Sequence, residues 1–348
     1  MKKLTTLFAL LLASLFLFTG CVSASITYDG EFWNKNPAGF TRIEETTVYD
    51  VKVVNTTPSY EDEIKNEHLK LEISDGTYTV TLKGVFADAN YYVLETELIV
   101  KGQYVYGENT IPVDDYVKTY TKFKSRANGF TPVYSMRTTF NEKTGKQHYN
   151  TSMYSYASGY VESNLRYEYS IEYSGKDATS KLVYGAPIRD ENTNEIIDEQ
   201  TIEETFTYKN YNDGAYIDNN LITFLPRAFN IKDDFYKGFS TIDVSNHEVK
   251  KMFYTVSSSS NSVSQQTFEN LTYDYLVDGT LQTVESGFPT LRLYSAIDGT
   301  FTGAAIELYY ASDASTHRHR LIKSYSALND NMGFIEYTIK SLNLKETF

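Results

Sequence analysis

The chain has 348 residues with 45 acidic and 32 basic side chains, which gives a formal net charge of −13. This acidic balance repels phosphate backbones and argues against nucleic acid as a partner and against a polybasic membrane-binding surface. The single cysteine excludes an internal disulfide, so a packed core must stabilise the fold.

The first segment, residues 1–20, has the layout of a secretory signal. Lys2 and Lys3 give it a positive start, and the apolar run from Leu7 to Phe18 is too short to span a bilayer. Small residues, Thr19–Gly20, close it. We predict that this segment is a signal peptide and that the protein is exported.

The only cysteine, Cys21, follows this segment directly. The order Leu17-Phe18-Thr19-Gly20-Cys21 resembles a bacterial lipobox, with Phe18 where that family more often has Leu or Val. The resemblance implies cleavage before Cys21 and lipidation of its sulfur, which makes residues 21–32 a lipidated tether and the membrane a partner. The alternative is an ordinary signal cleaved later, for instance after Ala24, which releases a free secreted protein. With the lipid, the protein stays on the outer face of the bacterial cell membrane or elsewhere in the envelope.

Residues 33–348 show the alternation of apolar and polar side chains that is typical of half-buried strands. The pattern is clear at Thr77–Lys83 and Leu165–Tyr173, and a content of 31 tyrosines suits pleated surfaces. We predict one mainly β domain, built as a large curved antiparallel sheet, with two lobes dividing near 187–200 or a two-sheet β-sandwich as alternatives. Similar runs occur at Tyr92–Val100, Pro132–Phe140, His148–Tyr156, Met252–Val256, Phe268–Leu276, Leu291–Ile297, Ala304–Tyr310, Arg320–Tyr325 and Phe334–Ile339.

One segment departs from the strand pattern. Asp218–Asn220 offers residues that cap helices, and the apolar residues of Leu221–Phe229 recur at spacings of three and four. Pro226 should kink or shorten this helix. The Glu- and Lys-rich stretch Tyr60–His68 is a weaker second candidate. One or two short helices are therefore expected to cover the sheet.

Catalytic and metal-binding patterns are absent from the sequence. It has no G-x-S-x-G motif and no Gly-rich phosphate loop, and adjacent carboxylates arise by chance in so acidic a chain. His317 and His319 project to the same face of an extended strand, but Arg318 and Arg320 flank them, which favours an exposed basic edge over a metal site. We predict no catalytic residue, no metal and no cofactor.

The candidate binding site combines aromatic and aliphatic side chains from the Leu165–Tyr173 strand and from the predicted helix. One face of the Leu165–Tyr173 strand, with the predicted helix over it, can line a concave apolar groove. Packing of the same residues in the core is the alternative, and stacking of sugars on exposed tyrosines is another. The candidate residues are Tyr167, Tyr169, Ile171, Tyr173, Phe224, Leu225 and Phe229.

A family resemblance covers about Asn128 to Thr338. It is carried by Gly129–Ser135, by Asn220–Pro226, and by three closing strands, Ala304–Tyr310, Arg320–Tyr325 and Gly333–Ile339. The order of these features is similar to the periplasmic LolA-like families, including domains of unknown function with that half-barrel shape. The resemblance implies an unclosed antiparallel barrel wrapped round a helix, and a groove that in relatives accepts acyl chains.

The sequence therefore favours a lipid-anchored envelope protein, not an enzyme, that binds an apolar or amphipathic ligand in a groove of a curved sheet. A surface structural, adhesion or glycan-binding module is the first alternative. An extracellular hydrolase is the second.

Overall fold

The computed structural model describes residues 43–54, 69–84, 91–126, 129–156, 159–190, 196–210, 216–229, 231–256, 264–287, 289–297, 306–312, 319–328 and 332–346. Within these ranges no helix is long and apolar enough to cross a membrane. The predicted signal peptide, Cys21, the tether of residues 21–32 and the helix candidate Tyr60–His68 lie outside the described residues.

Strands make up most of the described chain. They are β1 Ile43–Val54, β2 Lys70–Gly84, β3 Tyr91–Tyr106, β4 Asn109–Arg126, β5 Gly129–Thr138, β6 Phe140–Asn141, β7 Lys146–Gln147, β8 Asn150–Tyr156, β9 Gly159–Ser174, β10 Asp177–Arg189, β11 Ile196–Lys209, β12 Tyr236–Asp243, β13 Glu248–Thr255, β14 Gln265–Thr267, β15 Thr272–Val277, β16 Thr280–Ser286, β17 Pro289–Ile297, β18 Ile306–Ala311, β19 Leu321–Ala327 and β20 Phe334–Glu346.

Eighteen of these strands form one sheet, and β6 and β7 pair separately. Its main path runs β11-β10-β9-β5-β4-β3-β2-β1-β20-β19-β18-β17-β13-β12, with every pair antiparallel. β8 adds to β9 and β14 to β17, while the β15–β16 pair joins β20 in the parallel direction. The predicted large antiparallel sheet is confirmed, and a two-sheet sandwich does not describe it.

The two ends of this path, β11 and β12, meet through side chains. Among the described residues no backbone ladder joins them, so the sheet is unclosed. The Phe206 ring of β11 stacks on His247, after β12, with centroids 3.5 Å apart. Ser240 of β12 donates a hydrogen bond to the side chain of Asn210 at 3.1 Å. The sheet therefore curls until its edges touch without sharing a ladder.

Residues 216–229, which we name the inner segment, pack against the concave face of the sheet. Leu221, Phe224, Leu225, Ala228 and Phe229 are all buried. They belong to one hydrophobic cluster with side chains from β1, β2, β3, β4, β5, β13, β15, β17, β18, β19 and β20. The chain itself thus fills this part of the interior, and burial of the segment's apolar side chains stabilises the curved sheet around it.

The inner segment forms two 3-10 helices, Asn219–Leu221 and Leu225–Ala228, where a kinked amphipathic helix was predicted. The predicted cap is present, because Asp218 accepts a hydrogen bond from the Asn220 N–H at 2.9 Å. Pro226 explains the interruption, since it has no N–H to donate to the carbonyl of Ile222 four residues earlier.

Tyrosine hydroxyls replace the missing helical donors. Tyr254 of β13 donates to the Ile222 carbonyl and Tyr310 of β18 donates to the Thr223 carbonyl, both at 2.7 Å. Buried carbonyls must find a donor, and these phenols supply it where an α-helix would have used its own backbone. The phenols are fully enclosed, so burial raises the pKa of both Tyr254 and Tyr310 and keeps them protonated.

Candidate functional site

The seven predicted ligand-binding residues do not form one wall. Phe224, Leu225 and Phe229 of the inner segment are buried in the main cluster, at 3%, 1% and 3% exposure. The four residues on β9 belong to a second cluster, which packs β9, β10 and β11 against β12. The members of this second cluster are Tyr169, Ile171, Ala178, Leu182, Tyr208, Tyr216, Ile242 and Val244, with Tyr167 and Tyr173 packed against it.

Tyr173 connects these two regions. Its hydroxyl donates to Asp218 at 2.7 Å, and Thr121 of β4 donates to the other carboxylate oxygen at 3.2 Å. Burial, followed by the nearby Asp218, holds the pKa of Tyr173 well above its usual value. Tyr173 is therefore a fixed donor that attaches β9 to the start of the inner segment.

Tyr167 and Tyr169 line a cavity of about 320 Å³, which we name the Tyr167 cavity. One side is formed by these two rings, whose centroids lie 5.8 Å apart in an edge-on arrangement, together with Arg137 of β5. The remaining lining residues come from the inner segment and from the β12–β13 hairpin. They are Asn219, Asn220, Thr241, Ile242, Asp243, Val244, Ser245 and Lys250.

Hydrogen bonds hold the walls of this cavity in place. Tyr167 and Ser245 share a hydroxyl hydrogen bond of 2.8 Å across it. Asn219 donates to the Ile242 carbonyl at 2.9 Å and accepts from Thr241 at 2.6 Å. Asn220 donates to Thr121 at 3.1 Å. The polar floor is thus fixed by partners within the protein, which pre-organises the cavity.

Two acid–base features define the electrostatics of the cavity. Burial alone would raise the pKa of Asp243, but hydrogen bonds from Lys250 and Asn246 hold that pKa below its usual value. The Lys250 ammonium lies 2.8 Å from Asp243 and 3.1 Å from Glu248. Burial raises the pKa of Tyr167, in spite of its hydrogen bond with Ser245. The phenols are therefore neutral near pH 7, and Asp243 is a charge already paired with a lysine.

The third charged group, Arg137, has no such partner. Its guanidinium carbon lies 5.5 Å from the centre of the Tyr167 ring. Its Nε atom is buried and has no hydrogen-bond partner, and no described acid lies within ion-pair distance of it. The cavity thus combines two aromatic rings, polar side chains of the inner segment and the β12–β13 hairpin, and one cation that makes no ion pair with a described acid.

A second polar cluster lies within the core. Arg227 of the inner segment makes two hydrogen bonds to Glu45 of β1, at 2.6 and 3.2 Å. Arg320, just before β19, brings its Nε to 3.9 Å from the same carboxylate. A space of about 20 Å³ beside them has room for one water molecule. This cluster links the inner segment to two strands of the sheet.

The position of Arg320 corrects a prediction. His319 and Arg320 were expected on an exposed basic edge, but they are only 7% and 3% exposed. Arg320 is buried because Glu45 offsets its charge, and His319 takes a left-handed backbone conformation, with φ of 45°, where the chain turns inward. His317 lies outside the described residues, within which no cluster of three metal-ligating side chains occurs.

The comparisons with known proteins include a distant structural likeness. No family model and no curated protein matches the chain. A solved structure of a beta-barrel-like protein of the domain of unknown function DUF1849, from Brucella abortus, is similar over 87% of this chain and 98% of its own, with 12% identity and a TM-score of 0.42.

The strands themselves define the class of protein. The described residues form a barrel-like β protein in which one large antiparallel sheet, left unclosed between β11 and β12, surrounds a segment of its own chain. The Tyr167 cavity lies between β9 and the β12–β13 hairpin of this fold.

Proposed function

We propose that this is an exported, lipid-anchored envelope protein, without enzymatic activity, that binds a small amphipathic ligand in the Tyr167 cavity. The observation that carries the proposal is the composition of that cavity. Tyr167 and Tyr169 contribute aromatic rings, Ile242 and Val244 are buried in the wall at 1% and 2% exposure, and Arg137 adds a charge at the same wall. Cavities of this size that place fixed polar groups beside aromatic rings can hold a small molecule.

The LolA-like resemblance supports the same kind of role, because those half-barrels bind their ligands inside an unclosed sheet. An acyl-chain groove along the whole concave face is not our proposal for this protein, since the inner segment occupies the main cluster there. We assign binding to the Tyr167 cavity instead, which has room for a molecule of modest size.

We expect protein purified without denaturant to carry a co-purifying small molecule that native mass spectrometry detects. Tyr167→Ala removes the ring from the cavity wall and should lower its occupancy at least about tenfold, the equivalent of about 1.4 kcal/mol. Tyr167→Phe removes only the hydroxyl bonded to Ser245 and should retain most of the ligand.

The matched control is Tyr236→Ala, which removes a ring that is 53% exposed and lies outside the cavity. Its occupancy should equal that of the unaltered protein. An unaltered protein that carries no bound molecule, or a Tyr167→Ala variant that retains it fully, would contradict the proposed binding site.

Anchoring is tested separately at Cys21. We expect Cys21→Ala to move most of the protein from the membrane fraction to the soluble fraction after cell breakage, because the acyl chains that retain it can no longer be attached. Ser23→Ala, two residues further on, keeps the thiol and should leave the protein in the membrane fraction. Membrane association of the Cys21→Ala protein would contradict lipid anchoring and leave ligand binding untouched.

A further inference from the structure

The Arg137 guanidinium indicates that a ligand of the Tyr167 cavity should carry a hydrogen-bond acceptor. It faces the Tyr167 ring at 5.5 Å and its Nε is buried without a hydrogen-bond acceptor. A buried donor left unsatisfied destabilises the protein, and more so when the group is charged. The rest of the guanidinium lines the Tyr167 cavity, where an acceptor supplied by a ligand can reach it.

The acids around the cavity cannot supply this acceptor. Asp243 is held by Lys250 at 2.8 Å and by Asn246. Glu168, on the strand that carries both tyrosines, accepts hydrogen bonds from Thr138 at 2.6 Å and from Arg166 at 2.7 Å. Both carboxylates are therefore engaged elsewhere, and the cation at this wall is left for a ligand.

On this basis, and resting on the function proposed above, we infer that the ligand carries a carboxylate that pairs with Arg137. A guanidinium donates two parallel hydrogen bonds to a carboxylate, a match in geometry that a lysine does not offer. Tyr167 and Ser245 are hydrogen-bonded to each other, so one of their two hydroxyls keeps a free donor for the ligand. The cation–π contact with the Tyr167 ring helps to hold the guanidinium in place before the ligand arrives.

The body of the ligand must fit the remaining walls. The rings of Tyr167 and Tyr169 can pack against an apolar or ring-shaped group, and the volume of about 320 Å³ suits a molecule with roughly ten to fifteen non-hydrogen atoms. Two sources share this chemistry, a medium-chain fatty acid and an acidic sugar. The carboxylate is common to both, and the test separates them.

Calorimetric titration of the purified full-length mature protein with two matched pairs of probes tests the inference. Decanoate is compared with decanol, and glucuronate with glucose. We expect one of the two acids to bind at least tenfold more tightly than its neutral partner, and the pair that shows this difference identifies the body of the ligand. Arg137→Gln should abolish the difference by weakening the acid roughly tenfold to a hundredfold, with the neutral probe unchanged.

Two further variants separate pairing from net charge. Arg137→Lys keeps the charge without the two-pronged geometry and should recover only part of the acid's affinity. Lys251→Gln removes one charge from an exposed position that does not line the cavity and should leave both probes unchanged. Thermal unfolding of Arg137→Gln without ligand should give an equal or higher Tm, because an unsatisfied charge has been removed.

The outcomes distinguish the inference from the function on which it rests. Equal affinities for acid and neutral probe, unaltered by Arg137→Gln, would overturn the carboxylate while retaining a binding cavity. If neither pair binds and native mass spectrometry finds no bound molecule, the cavity and the carboxylate both fail.

Discussion

We expect Glu45→Gln to lower the free energy of unfolding by about 3–5 kcal/mol, because it removes the charge that offsets Arg227 and Arg320 inside the fold. Glu45, Arg227 and Arg320 are 3%, 5% and 3% exposed. The amide keeps the shape of the carboxylate but provides one acceptor oxygen and no charge. Urea unfolding followed by circular dichroism measures the effect.

Glu44→Gln is the matched control for this prediction. Glu44 neighbours Glu45 on β1, but its side chain is 33% exposed and its partner Lys345, at 3.0 Å, is 53% exposed. Water screens this pair, so the control should change stability by less than about 1 kcal/mol. Comparable effects of the two substitutions would refute the assignment of Glu45 as the buried counter-charge.

We expect Phe224→Ala to lower the free energy of unfolding by about 3–5 kcal/mol, the range for removal of a large buried aromatic side chain. Phe224 is 3% exposed, and its ring lies 5.8 Å from that of Phe130 and 6.2 Å from that of Phe123. Truncation opens a void between the inner segment and two strands. The same urea titration reports the loss.

This substitution also decides between the two interpretations that the sequence left open for Phe224. A core residue costs stability when truncated, whereas a ligand-lining residue costs binding. Phe140→Ala, at a side chain that is 39% exposed, should change stability by less than about 1 kcal/mol. A Phe224→Ala protein of normal stability that has lost its co-purifying molecule would place Phe224 in a binding groove instead.

Strand patterns in the sequence predicted much of the sheet and missed strands whose exposed residues are polar. Leu165–Tyr173 lies within β9 and Thr77–Lys83 within β2, where alternation is strong. The acidic stretch near 187–200, where the sequence allowed a division into two lobes, has ends that belong to β10 and β11, which pair from Asp177↔Lys209 onward. An outer strand such as β11 has one solvated face and few apolar residues, so its composition resembles that of a loop.

Phe268–Leu276 shows the opposite error. The predicted strand begins only at Thr272, because the Leu271 N–H bonds back to the Phe268 carbonyl at 3.1 Å and closes a turn. Phe268 packs edge-on against Tyr309 with ring centroids 5.3 Å apart. Phe268 is apolar because it packs against another strand, and the alternation pattern therefore placed it wrongly in β15.

The sequence allowed only some of the residues that line the cavity to be predicted. Tyr167 and Tyr169 could be found by alternation, since both lie on one face of one strand. Arg137 lies 30 residues away from Tyr167 on β5, and Ser245 lies 78 residues away. No local pattern connects such positions, and the pairing of Glu45 with Arg227, 182 residues apart, left no signal either.

The hydroxyls that complete the inner segment have a consequence for synthesis of the chain. The carbonyls of Ile222 and Thr223 accept from Tyr254 and Tyr310, both of which are encoded later than the segment that they satisfy. A nascent chain therefore exposes this stretch of backbone before its donors have left the ribosome. The segment cannot dock with all its donors until β18 has been made, so we expect its final docking to come late in the synthesis of the chain.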